Sequence, residues 1–328
     1  MKLSSTNGKI VAVTGAAGYL GSRLLAYLTT QPWVAQIIAL DQKPLANNSS
    51  GRIHAYQVDV SDAEALAAIF ARHSVTHLVH AAFLLVQPPD MSESAMRAAN
   101  VDGSRCVIET ALRHGVQQIV FVSSVAIYGY LPGHPARVRE DALLRPTMIY
   151  GKHKAAVETI LHELGSAYPA ARIAIPRLAA VVGAAGRDYS HLRALTAQPV
   201  FVVANGGRAL TQAIHEDDAA ELIGTLLEQD ASGIFNGAAD DSAAWAAIGG
   251  LSSRPIVSMP RAVLNQMTRL SLNTTLPALN GFTREIVDLF AESLVVDNSA
   301  ARTQLAWTPR YSTLAAFQQM FAALGTAR

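Results

Sequence analysis

The chain has a single cysteine, Cys106, in 328 residues. No intramolecular disulfide can form, which excludes a secreted, disulfide-stapled design and makes the cytoplasm the simplest compartment. An excess of either charge is missing too: 26 basic residues face 25 acidic ones, with no basic block interleaved with aromatics. That balance argues against nucleic acid or an anionic membrane as partner and points to a small-molecule substrate. Residues 1–9 are polar, and the apolar run after them is broken by Gly15 and Gly18, so neither a signal peptide nor a transmembrane helix is expected. No internal repeat or low-complexity segment stands out. Half of the residues are hydrophobic, enough to bury the core of one large domain or of a domain with a smaller lobe.

Short β-branched runs read as strands at Lys9 to Thr14, Ile37 to Leu40, Ile53 to Val58, His77 to His80, Ile119 to Ser123 and Arg172 to Ile175; the segments between them read as helices. Continuous apolar strands alternating with helices indicate a parallel sheet buried on both faces, a doubly wound α/β (Rossmann) fold. After Gly183 the pattern loosens around Pro199, Gly206-Gly207, Gly249-Gly250, Pro255, Pro260 and Pro277, and Ala213 to Leu227 reads as a further helix behind an acidic cap. The expected organisation is a nucleotide-binding domain from 1–178 plus about 211–240. A smaller C-terminal substrate-binding lobe, from about 179–210 and 241–328, is expected on the C-terminal edge of the sheet.

Gly15, Gly18 and Gly21 lie between the first strand and a helix opened by Tyr19 and Leu20. Glycine permits a tight turn and close approach to a pyrophosphate, and the helix N-terminus offers free N–H groups with a partial positive charge. Asp41 closes the second strand 20 residues after Gly21, where a carboxylate accepts hydrogen bonds from a ribose and repels a 2′-phosphate. This favours NAD over NADP, with Lys43 and Arg52 as nearby cations that soften the preference. Asp59-Val60 is placed to meet the adenine, and Ser61 or Asp62 to cap the following helix.

Ser124, Tyr150 and Lys154 form a proton-transfer constellation. A phenol ionises near ~10, so it serves as a base at neutral pH only when a cation such as a lysine one helical turn away favours its anion. Serine holds the substrate oxygen.

With His80-Ala81-Ala82, Asn100-Val101-Asp102-Gly103-Ser104, Ser123 to Gly129, Ile214 to Asp218 and Leu305-Ala306-Trp307-Thr308-Pro309, these motifs resemble the extended short-chain dehydrogenase/reductase superfamily, in its NAD-dependent epimerase/dehydratase branch. The resemblance covers most of the chain. It implies that Tyr150 exchanges the proton of a secondary alcohol, that Lys154 binds the nicotinamide ribose and lowers the Tyr150 pKa, and that Ser124 orients the carbonyl. It further implies cofactor contacts at Ala81, Ala82, Phe83 and Asn100, and a homodimer formed through the helices around Met91 to His114 and Tyr150 to Leu164.

Two departures bear on substrate. Sugar-nucleotide members of the family carry Arg-x-x-Asn where this chain has Arg177-Leu178-Ala179-Ala180, and an arginine where it has Thr211; Arg208 is the nearest replacement. The apolar run Phe83-Leu84-Leu85-Val86 flanks the expected site, with Leu84 as a substrate contact. The leading expectation is therefore an NAD-dependent dehydrogenase or reductase for a non-nucleotide, partly apolar alcohol or ketone. Its alternatives are an NDP-sugar epimerase or dehydratase using NAD transiently, and a dinucleotide-sensing regulator, against which the intact triad speaks.

His73, His77 and His80 lack an acid or cysteine to complete a metal site, so no metal is expected. His215-Glu216-Asp217-Asp218 reads as a capped helix start, Cys106 as a buried helix residue, and Trp307 and Pro309 as anchors of the C-terminal segment.

Overall fold

In the computed structural model, which describes residues 8–45, 51–188, 199–271 and 284–327, strands and helices alternate from the start. The order is β1 (Lys9–Thr14), α1 (Tyr19–Thr29), β2 (Val34–Asp41), β3 (Ile53–Gln57), α2 (Ala63–His73), β4 (His77–His80), α3 (Glu93–Arg97), α4 (Gly103–Arg113), β5 (Gln118–Phe121), β6 (Ser123–Ser124), α5 (Ile149–Ala167) and β7 (Arg172–Leu178). Across the main sheet the order is Gly233–Gly237, β7, β5, β4, β1, β2, β3, every pairing parallel, with β6 beside β7. The direction of winding reverses between β1 and β4. Their C-terminal ends therefore open onto the crevice where such sheets bind ligands.

Strand alternation splits the core into two layers. Ala12, Ile119 and Phe121 face a cluster with Leu66, Phe70, Ile108 and Leu161. Val11, Val13 and Val120 face a second one with Leu24, Leu28, Leu222 and Ile223. A third cluster, around Trp245, Phe290, Phe317 and Phe321, belongs to the later part of the chain, beside the small pairings Phe201–Ala204 with Ile256–Met259 and Leu210–Thr211 with Ala243–Ala244.

Three expectations need correction. Ala213–His215 is a strand paired in parallel with Ala180–Val182, and the helix runs only Glu216–Glu228, capped by His215, whose Nδ1 accepts the Asp217 N–H. A three-residue run carries no period, so its partner decided its state. The stretch Ala301 to Trp307 packs beneath α1 and Glu216–Glu228, so 241–328 is not one lobe throughout. Cys106 is half-buried, not buried. Pro277 lies outside the described residues. Among the described residues, no helix is long and apolar enough to cross a membrane.

Candidate active site

Gly15 has φ +70°, and a Cβ there would stand 2.7 Å from the Ala82 nitrogen. The loops after β1 and β4 thus meet backbone to backbone, a contact that only glycine permits. Thr14 secures it, its carbonyl accepting Ala81 N–H at 3.3 Å and its Oγ1 accepting Ala82 N–H at 3.3 Å. A Cβ on Gly21 would overlap the Gly15 carbonyl. Gly18 caps α1 without a side chain, and no acid sits in the first turn, so the positive helix end is left for an anion. This cradle fits a pyrophosphate.

Asp41 ends β2 with both oxygens fixed: Oδ2 accepts Ala17 N–H and Oδ1 accepts Lys43 N–H, each at 2.9 Å. Of the two softening cations, Arg52 is committed elsewhere, donating to the carbonyls of Thr29, Gln31 and Val34. Asp59 accepts from Ser61 N–H and Oγ and from Gln42, which hold its carboxyl below the usual range, while Asp62, not Ser61, caps α2. Val60 packs at Gly103. Tyr19 does not offer its hydroxyl to a ligand: it donates to Glu216, tying α1 to Glu216–Glu228. Leu20 packs with the layer beneath α1.

Ser124 lies beside Tyr150 and favours its phenolate. The contact is built by Gly151, where a Cβ would lie 2.6 Å from the Ala126 carbonyl oxygen, so the start of α5 rests directly on the turn after β6. Lys154 follows one turn later, 2% exposed, its Nζ donating to the Val122 carbonyl at 2.6 Å. Burial dominates both groups. It pushes the Tyr150 phenol up to about 12 against the lowering effect of Ser124, and the Lys154 ammonium well below its ordinary value, with Glu158 opposing. In the protein alone, desolvation dominates the Tyr150 phenol.

Phe83 leans edge-on against Tyr150, ring centroids 5.6 Å apart, and covers Lys154. Asn100 is 1% exposed and braces the backbone of Leu84, accepting its N–H at 2.7 Å and donating to its carbonyl at 3.0 Å, with His153 Nδ1 on α5 3.3 Å from its amide nitrogen. It sits in a π-helical turn, Ala98–Asp102, so what it does here is brace the loop after β4. Beyond Leu84, Leu85 and Val86 are 41% and 63% exposed. Sequence reasoning missed the role of His80, which bridges Thr14 Oγ1 and Ser104 Oγ at 2.7 Å each beneath the loops. Register is the signal that would have found it, since Thr14 and His80 end adjacent strands as partners.

The departures resolve into distinct surroundings. Arg177 is buried in an ion pair with Glu158 at 2.6 Å and also donates to the Tyr128 hydroxyl and the Glu140 carbonyl. Ala180 stands exposed at the start of Ala180–Val182, and Thr211 is buried against Ala243. Arg208 is exposed after the turn Asn205–Gly207.

Comparison with known proteins gives relatives over nearly the whole chain. An uncharacterized protein of Mycobacterium tuberculosis is 27% identical over 323 residues, covering 97% of this chain and 84% of that protein. The UDP-glucose 4-epimerase of Lacticaseibacillus casei is 27% identical over 325 residues, 93% of each. Among solved structures, a UDP-glucose-4-epimerase of Stenotrophomonas maltophila, with bound NAD and formylated UDP-arabinopyranose, superposes with a TM-score of 0.75 at 20% identity, covering 97% of this chain and 98% of that one. The pattern described as NAD dependent epimerase/dehydratase family matches residues 11–238.

Proposed function

We propose that this chain, which belongs to the NAD dependent epimerase/dehydratase family, uses NAD to oxidise a secondary alcohol of a sugar-like substrate and returns the hydride within the same cycle. The observation that carries this reading is the placement of Ser124 beside Tyr150, one helical turn from the buried Lys154, next to a glycine cradle shaped for a pyrophosphate. Ser124 holds the substrate oxygen. Tyr150 withdraws the hydroxyl proton as the C–H bond breaks, which avoids a high-energy alkoxide, and gives it back on return. NAD, when bound, accepts the hydride at nicotinamide C4, and its cationic ring favours the phenolate. Lys154 is assigned to the nicotinamide ribose and Asp41 to the adenosine ribose, with Asp59, Val60, Ala81, Ala82 and Phe83 lining the cofactor.

The whole-length epimerase relative puts this cycle ahead of net dehydrogenation, reversing the order that the missing nucleotide contacts suggested. The second reading, a dehydrogenase or reductase for a partly apolar, non-nucleotide substrate, keeps its own support in Ala180, Thr211 and the exposed Leu85 and Val86. Substrate recognition is assigned to Leu84 and to the lobe around Trp245 and Phe290. Acid denaturation of the purified protein separates the two readings: near-stoichiometric NAD supports the internal cycle, and empty protein that binds NAD reversibly supports the dehydrogenase. Tyr150→Phe abolishes turnover and leaves NAD bound; unchanged turnover would sink both. A homodimer through α4 and α5 would bring together faces where Arg105 already pairs with Glu109 and Glu163, and a single-chain mass by light scattering refutes it.

A further inference from the structure

The ammonium of Lys154 lies 3.6 Å from the ring centroid of Phe83, 4.6 Å from that of Phe121 and 5.6 Å from that of Tyr150. Three of its faces are aromatic. It has three N–H donors, and one goes to the Val122 carbonyl. Among the described residues no carboxylate bonds it: Glu158, one turn further along α5, has both oxygens taken by Arg177 and one also by Ser123 Oγ. Phe83 cannot drift from the lysine freely, because the next residue, Leu84, is held at both its N–H and its carbonyl by buried Asn100. A cation over a desolvated ring face is attracted by the ring quadrupole without being neutralised.

We propose that Phe83 is a positioning residue for Lys154: its ring face, completed by Phe121 and Tyr150, takes the place of a carboxylate partner and fixes the ammonium at the mouth of the cofactor site. A carboxylate would hold Nζ by a charge-assisted hydrogen bond that a ribose hydroxyl has to displace. A ring leaves two N–H donors uncommitted for that hydroxyl. The usefulness of the arrangement rests on Lys154 meeting the nicotinamide ribose, but its existence is a property of the cofactor-free protein, so the two fail separately.

The chain has five lysines, so labelling with 13Cε-lysine gives five signals, and Lys154→Met assigns the one of interest. The titratable groups facing Lys154 are Tyr150 and Glu158 from its own helix and His80 from β4. Burial pushes Tyr150 up to about 12 and His80 down to about 3, and Glu158 is paired with Arg177. In Phe83→Leu the titration midpoint of Lys154 alone moves to lower pH, and in Phe83→Tyr it stays near wild type; NAD affinity measured by calorimetry falls several-fold in the first and is kept in the second. Pentafluorophenylalanine at position 83 keeps the shape but reverses the quadrupole, and moves the midpoint the same way as leucine even if Phe83→Leu does not fold. An unmoved midpoint, or a rise in Phe83→Leu from admitted water, overturns the proposal.

Discussion

Lys154 and Arg177 are two cations buried to nearly the same degree, 2% and 3% exposed, on neighbouring elements of one domain, and their surroundings are opposite. Arg177 is matched by both Glu158 oxygens, by Tyr128 and by a carbonyl, and it keeps its charge against the cost of burial. Lys154 has a carbonyl and ring faces, and burial moves it toward neutrality. Full pairing makes a charge into structure, because any partner it could give a ligand is already spent. Incomplete pairing leaves a charge available for chemistry.

Removing each cation tests that contrast. Lys154→Met is expected to lower turnover by about 10²–10⁴-fold, the usual contribution of proton-transfer machinery, while leaving thermal stability unchanged or higher because an unpaired buried charge is gone. Arg177→Met is expected to lose about 3–5 kcal/mol in urea unfolding, since Glu158 is left buried without its partner; Glu158→Gln combined with Arg177→Met recovers part of the loss. Equal destabilisation by the two single variants would break the comparison.

His80 sharpens it by pH. Burial, with a smaller push from Lys154, takes the imidazole from 6.5 to about 3. Between those values the unfolded chain binds a proton that the folded one refuses, so stability falls as pH drops through this window and is unaffected above it. The loss is on the order of 4 kcal/mol by pH 3. Urea titrations across that range should show the slope in the wild type and a flatter one in His80→Asn. The smallest effect belongs to Asp41, a half-buried carboxylate held by backbone N–H groups. Asp41→Asn is expected to weaken NAD about tenfold by calorimetry and to narrow its margin over NADP.

Much of the nucleotide-binding half was legible in the residues. β1 and β4 run over the residues expected of them, and α1 starts at Tyr19, because β-branched runs and glycines at turns are local signals. The later half was less so. Ala213–His215 became a strand because Ala180–Val182 was there to pair with it, and Ala301 to Trp307 joined the second layer because a buried face beneath α1 needed covering. Within the candidate site, Ser124, Tyr150 and Lys154 were singled out by spacing and order. Asn100 bracing Leu84, His80 bridging two loops and Phe83 covering Lys154 were not, since each joins residues distant along the chain.

The sequence by itself determined the sheet, the glycine cradle and the three side chains proposed to react, since each depends on backbone preference or on short spacing. Only the tertiary structure decided how those side chains are charged. Desolvation and pairing depend on what surrounds a group in space, and for Lys154 and Arg177 that was set by Phe83 from the loop after β4 and by Glu158 from α5.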